Sequence, residues 1–232
     1  MKNLINNKYL IFFMVLLLFF FGSLFQLIPI RLLNLDITKL SGQEEVLLTL
    51  FSNIITMAIL IGIYYKSLKK DLIAFKKKFY ELFEISFQIW VIGLVLMAVF
   101  NLIINHFSPN EIANNEEAIR SLINVSPIFM LLNTAIAAPV IEELVFRKSF
   151  RIIFKNNVAF VLISGIVFGA LHVITSIVNV YDYLYLLPYC SLGIAFSYMY
   201  YKTDNICAPI FMHFVHNTIM TIMNILAMGM IL

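Results

Sequence analysis

Apolar runs long enough to cross a lipid bilayer recur from the first ten residues of this chain to the last ten, and that pattern leaves few folds open. About 20 consecutive apolar residues form a helix that spans the hydrocarbon layer. Composition points the same way: 62% of the 232 residues are hydrophobic and only 12% are charged. A soluble domain carries about twice that charged share. The expectation is an all-α polytopic membrane helix bundle forming a single integral membrane domain over residues 1–232. Its formal charge of +3 is not a nucleic-acid footprint, because the basic residues cluster in loops between apolar runs. The partner implied is the lipid bilayer.

Seven segments read as membrane helices: 9–30, 46–65, 82–104, 122–154, 158–180, 183–201 and 206–232. The first has the basic start of a signal peptide (Lys2, Lys8), but its apolar stretch is too long for one and no cleavage site follows. The second carries Thr49, Ser52, Asn53 and Thr56 on one face, a pattern that glues helices together in lipid. Residues 66–78 read as a basic amphipathic connector. Residues 105–120 read as a polar, acidic loop with Glu111, Glu116 and Glu117. Counting Lys and Arg in alternate loops gives 13 on the N-terminal side against three on the other, which places the N-terminus in the cytoplasm and the C-terminus outside. Cys190 and Cys207 read as small buried hydrophobes, and no CxxC supports a two-cysteine metal site.

Against this apolar background the stretch Pro139 to Arg147 stands out, with Glu142, Glu143 and Arg147 together where hydrocarbon is expected. An ionised side chain at the bilayer centre costs about 3 kcal/mol on insertion scales, so three kept together point to use. Four residues apart on a helix, Glu143 and Arg147 can pair. Glu142 is turned about 100° away and left to face something else. Two further segments supply polar groups. Phe168 and His172 share a face, and so do His213 and Asn217, with His216 close to the same stripe. By helical rise, Glu142, His172 and Asn217 all lie ~18–22 Å from the inside ends of their helices, and His213 ~12 Å.

Taken singly, each has a plain structural reading. His172 could be a packing histidine, and Glu143 with Arg147 a register-fixing pair. His216 and Asn224 read as packing or cavity-lining groups, His106 as solvated, and Pro139 and Pro209 as kinks or helix starts. Taken together they describe a site that activates water. A glutamate partly stripped of solvent can take a proton from water. His172 could hold that water from the other side, while His213 and Asn217 are donors suited to an oxyanion. Arg147 would keep Glu143 ionised and aim Glu142. The alternative is a catalytic zinc held by Glu142, His172 and His213. The chain lacks the HExxH that would mark a zinc protease, which favours no metal and no other cofactor. A non-catalytic immunity or scaffold protein remains open, and a transporter ranks last because no inverted repeat is visible.

Glu142-Glu143-xxx-Arg147, Phe168-xxx-His172 and His213-xxx-Asn217 resemble, in order, the three motifs of the CAAX protease and bacteriocin-processing family of intramembrane endopeptidases. The resemblance covers residues 122–232, while residues 1–121 carry no motif. It implies that Glu142 and His172 activate the water, that His213 and Asn217 line the oxyanion site, and that Glu143 and Arg147 support them. It implies a peptidase acting on membrane-associated or lipid-modified peptides or proteins. Family members commonly have eight helices, so an eighth within the long last segment is the alternative to seven. The Ile, Asn, Lys and Phe richness suggests a bacterial plasma membrane. There, relatives of this kind are linked to bacteriocin processing, self-immunity and cleavage of membrane-anchored proteins.

Overall fold

A computed structural model describes residues 7–107, 113–175 and 177–229, and among these the chain is helical with no strand. Eight helices follow in order: α1 Lys8–Leu32, α2 Gly42–Lys77, α3 Phe79–Phe107, α4 Asn114–Val125, α5 Pro127–Ile153, α6 Asn157–Ile174, α7 Leu186–Thr203 and α8 Cys207–Ala227. Six of them, all but α4 and α7, are long and apolar enough to cross a membrane. Helix α4 has 12 residues, ~18 Å by helical rise, too short to span. Helix α7 has 18 residues and is less apolar, yet Leu192, Ala195, Phe196, Met199 and Tyr200 are buried, so it is an interior helix of the bundle. Each of the seven expected segments contains one of these helices, six of them of membrane-spanning length; the fifth, expected to reach residue 180, ends at Ile174. The long last segment holds one helix over its described part and does not split. Glu111 lies outside the described residues.

Local chemistry sets the ends. Ser41 and Glu44 form a reciprocal capping box at the start of α2, and Asn156 accepts from the Ala159 amide at the start of α6 (3.0 Å). Helix α7 stops at Asp204, which adopts a left-handed φ of 45°. Three stretches differ from the sequence reading. Residues 66–77 are not a separate connector, because α2 runs through them and bends away only at Lys78. No Gly or Pro follows Gly62 to stop it, and Lys and Leu are good helix formers. Residues 114–120 are not loop but the first turns of α4, where Glu116 and Glu117 sit favourably at the positive end of the helix dipole. The expected start of α5 at residue 122 moves to Pro127. Proline drives the residue before it out of the helical region, and Ser126 accordingly sits at φ −154°, ψ 77°.

Two close contacts position the bundle. A Cβ on Gly165 would lie 2.6 Å from the Ile194 backbone, and one on Gly193 would lie 2.4 Å from the Gly165 carbonyl oxygen. Glycine at both positions lets α6 and α7 touch backbone to backbone. At one end of the bundle, Lys148 on α5 pairs with Asp71 on α2 (2.7 Å), and Asn205 donates to the Asp71 carbonyl (2.7 Å). The three basic stretches 66–78, 147–155 and Lys202 therefore gather at the same end, around a cavity of about 420 Å³.

Candidate active site

Helix α5 carries the first motif, and its backbone is irregular where it matters. Asn133–Ala137 and Glu143–Ser149 are π-helical turns, each holding an extra residue, a feature common at functional sites. A π turn shifts which amide meets each carbonyl, and side chains from other helices meet two of them. The Ala138 amide donates to Asn133 O. The next carbonyl, Thr134 O, would look to residue 139, which is proline and has no N–H. Asn217 Nδ2 on α8 donates to it instead (2.8 Å). In the second π turn, Ser164 Oγ donates to Phe146 O (2.8 Å) and is itself held by Ser197 on α7 (3.0 Å).

The two adjacent glutamates divide as their helical positions suggest. Glu143 is fully buried and faces inward between helices, whereas the Glu142 side chain keeps 17% of its surface and lines a cavity of about 690 Å³. Arg147, also fully buried, places Nε 3.2 Å from Glu143 Oε2. That contact is not aligned as a hydrogen bond. The guanidinium instead donates through Nη2 to Gly193 O (3.2 Å) and lies over the Phe168 ring at 4.2 Å. Gly193 is thus used twice: it lets α7 approach, and it presents a carbonyl to the buried cation. The expected pair is present, and it is braced by α6 and α7 rather than by α5 alone.

His213 sits between the two carboxylates. Its Nδ1 lies 2.8 Å from Glu143 Oε1 and its Nε2 lies 3.7 Å from Glu142 Oε2. Facing a carboxylate oxygen, Nδ1 carries the proton. Phe196 stacks on the ring (centroids 4.7 Å, 19° apart) and Phe168 meets it edge-on (5.9 Å). His172, on α6, turns Nδ1 to the Phe168 carbonyl (2.9 Å) and stacks against Tyr189 (5.3 Å, 23°). Opposite a carbonyl, Nδ1 again carries the proton, which makes Nε2 the accepting edge. Glu142, His172, His213 and Asn217 all line the one cavity, on α5, α6 and α8. Glu143 and Arg147 lie behind it. His216 and Asn224 line it too, as expected of them.

Several members of the site carried no signal in the motifs. Thr134 Oγ1 donates to Met130 O (2.8 Å) and shares a hydrogen bond with Thr221 Oγ1 (2.9 Å), tying α5 to α8 one turn beyond Asn217. Asn53, singled out only as part of a polar helix face, donates to Asn133 Oδ1 (2.7 Å) and ties in α2. Phe196, Gly193 and Tyr189 all come from the α7 segment, to which the sequence reading gave no role. A hint was available in the small residues of Ser191-Leu-Gly193-Ile-Ala195. As for a metal, no group of three or more His, Cys, Asp or Glu side chains among the described residues is gathered closely enough to hold one. Glu142, His172 and His213 share the cavity without forming such a ligand set, and Nδ1 of each imidazole is already engaged. Cys190 and Cys207 are free thiols.

Membrane-length helices surrounding a buried acid pair and two imidazoles define a polytopic membrane protein with an internal polar site. Residues 124–219 match the family described as type II CAAX prenyl endopeptidase Rce1-like. The putative membrane peptidase YdiL of Bacillus subtilis (strain 168) is 35% identical over 119 residues, 49% of this chain and 44% of that protein. The membrane-embedded CAAX protease MroQ of Staphylococcus aureus (strain USA300) is 25% identical over 150 residues, 59% of this chain and 57% of that protein. The matched stretches thus cover about half the length of these curated relatives. No solved structure matches the chain significantly. Through its motif-bearing core the chain is similar to the Rce1-like CAAX prenyl endopeptidases, and it is a multi-pass protein of the bacterial cell membrane.

Proposed function

We propose that the chain is an intramembrane endopeptidase that hydrolyses peptide bonds of membrane-associated peptides or proteins with a water activated by Glu142. One observation carries this reading: of two adjacent glutamates, Glu143 is sealed away with Arg147, while Glu142 alone opens onto the cavity. Glu143 is engaged by Arg147 and His213; Glu142, facing the cavity, is the acid placed to exchange a proton with water.

The residues then take these roles. Glu142 removes a proton from a water in the cavity as the water oxygen bonds to the scissile carbonyl carbon. His172 accepts the water's other proton as a hydrogen bond through Nε2 and so aims its lone pair. The carbonyl oxygen becomes an oxyanion, which needs donors set in advance. Asn217 has two N–H bonds; Thr134 O takes one, which leaves the other for the cavity that Asn217 lines. The Nε2 edge of His213 is the second candidate donor. The carboxylate of Glu143 holds the ring from its other side, at Nδ1. As the tetrahedral intermediate collapses, Glu142 passes its proton to the departing amine. Arg147 touches none of the reacting atoms. It positions Glu143, which positions His213. No step passes through zinc, and chelator titration with metal analysis of the purified protein tests that separately.

The experiment is a proteomic comparison of membranes from cells carrying wild-type or Glu142→Gln protein at matched levels. Loss of specific cleaved peptides, with the variant still inserted, is the expected result. Unchanged processing in the variant would remove Glu142 from the role of base.

A further inference from the structure

At its far end from Glu142 the cavity is lined by Glu116 and Arg120 of α4 and Asn224 of α8. Glu116 Oε1 accepts from both Arg120 Nε (3.0 Å) and Asn224 Nδ2 (3.0 Å). That pairing occupies the side edge of the guanidinium. Its terminal nitrogens, on a side chain 41% exposed, have no partner among the described residues. Arg120 is the one Lys or Arg among the described residues that line this cavity.

His213, beside Glu142, and Asn224, beside Glu116, are on the same helix, 11 residues apart. At 1.5 Å per residue the two ends are ~16 Å apart. An extended chain rising ~3.3 Å per residue covers that distance in about five residues. The cavity, about 690 Å³ in volume, is therefore long enough to take about five residues of extended chain between Glu142 and Glu116.

We infer that Arg120 is a specificity residue: it takes a carboxylate of the substrate about five residues from the scissile bond, with the intervening chain extended along the cavity. The carboxylate is a chain terminus or an Asp or Glu side chain; the chemistry is shared. Arg120 offers it two parallel N–H donors, the geometry that guanidinium gives to carboxylates. Glu116 is already satisfied by two donors and holds the guanidinium in place from behind. This inference rests on the peptidase reading for what lies at the other end, but its test does not depend on cleavage.

The test uses the full chain, purified in detergent, and a random library of ten-residue peptides made in carboxylate-terminated and amide-terminated forms. Affinity selection by mass spectrometry on Glu142→Gln protein reads binding alone. Carboxylate-bearing peptides are expected to be enriched on the order of tenfold over uncharged amide-terminated ones, as for a hydrogen bond to a charged group. The enrichment should vanish in Glu142→Gln/Arg120→Gln and persist in Glu142→Gln/Arg120→Lys, a rescue that a purely structural role for Arg120 does not predict. Enrichment of Asp or Glu at one position in amide-terminated peptides assigns the side chain; enrichment of neutral carboxylate-terminated peptides assigns the terminus. Equal retention of all forms, or a preference that survives Arg120→Gln, overturns the inference. Digestion of the same library by wild-type protein tests the peptidase reading separately. A carboxylate preference without Glu142-dependent cleavage would sink that reading and leave the Arg120 subsite standing.

Discussion

Replacing Arg147 with Met removes the charge of a side chain that has no exposed surface and leaves its volume nearly unchanged. Three things are lost at once: the ion pair with Glu143 at 3.2 Å, the donation to Gly193 O at 3.2 Å, and the contact with the Phe168 face at 4.2 Å. Removing one partner of a buried pair costs about 3–5 kcal/mol, chiefly because the other charge is stranded. The Gly193 carbonyl left behind adds ~1–3 kcal/mol. These terms overlap, so the single variant should lose about 4–6 kcal/mol. The stranding component can be isolated, because Glu143→Gln removes the charge while Gln still accepts from His213. The double variant Glu143→Gln/Arg147→Met should therefore be more stable than Arg147→Met alone, with a coupling of about 2–3 kcal/mol. Reversible unfolding in mixed micelles, followed by helicity, measures all four corners of the cycle. A double variant no more stable than the single would refute the claim that an unpaired Glu143 is the dominant cost. An Arg147→Met protein with wild-type stability would refute the pair altogether.

Other expectations follow from particular contacts. Pro139→Ala restores an N–H that can recapture the Thr134 carbonyl, so activity should fall on the order of tenfold while stability stays within ~1 kcal/mol, and kcat rather than KM should carry the loss. Gly165→Val puts a Cβ 2.6 Å from the Ile194 backbone and should cost at least ~1–3 kcal/mol by forcing α6 from α7; a variant with wild-type unfolding would show that the contact can yield. Lys148→Met strands a largely buried Asp71 and should destabilise by several kcal/mol, with partial recovery in Asp71→Asn/Lys148→Met, both read by the same unfolding assay.

The sequence made some of this legible and hid the rest for physical reasons. Glu143 and Arg147 were readable as a pair because side chains four apart meet whether the intervening turn is α or slightly wider. Glu142 was readable as the outward acid because the adjacent position on any helix points elsewhere. Helices dense in apolar residues announced themselves, and α7 was found though it is less apolar than the six membrane-length helices. The position of His213 between two carboxylates was not readable, since it depends on how α8 is rotated against α5. Nor was the anchoring of Asn217, because the acceptor is a main-chain atom whose availability depends on π register. Pro139 was visible as a helix disturbance, but which carbonyl it would orphan was not. Helix α4 was hidden because its polar residues resemble a loop, whereas in the fold Glu116 and Arg120 serve the cavity.

Asn217 is tethered to a backbone oxygen, and that has a consequence for how the protein can drift over generations. A side-chain tether disappears with a single codon change at either end. The Thr134 carbonyl is present whatever residue occupies position 134, so substitution there leaves the acceptor standing. Heritable variation can break this tether only by changing the asparagine itself, by giving position 139 an amide hydrogen, or by inserting or deleting a residue in the turn. Relatives that vary at 134 would give up the hydroxyl bond to Thr221 yet keep this acceptor, so the imino acid five places on is the position to guard.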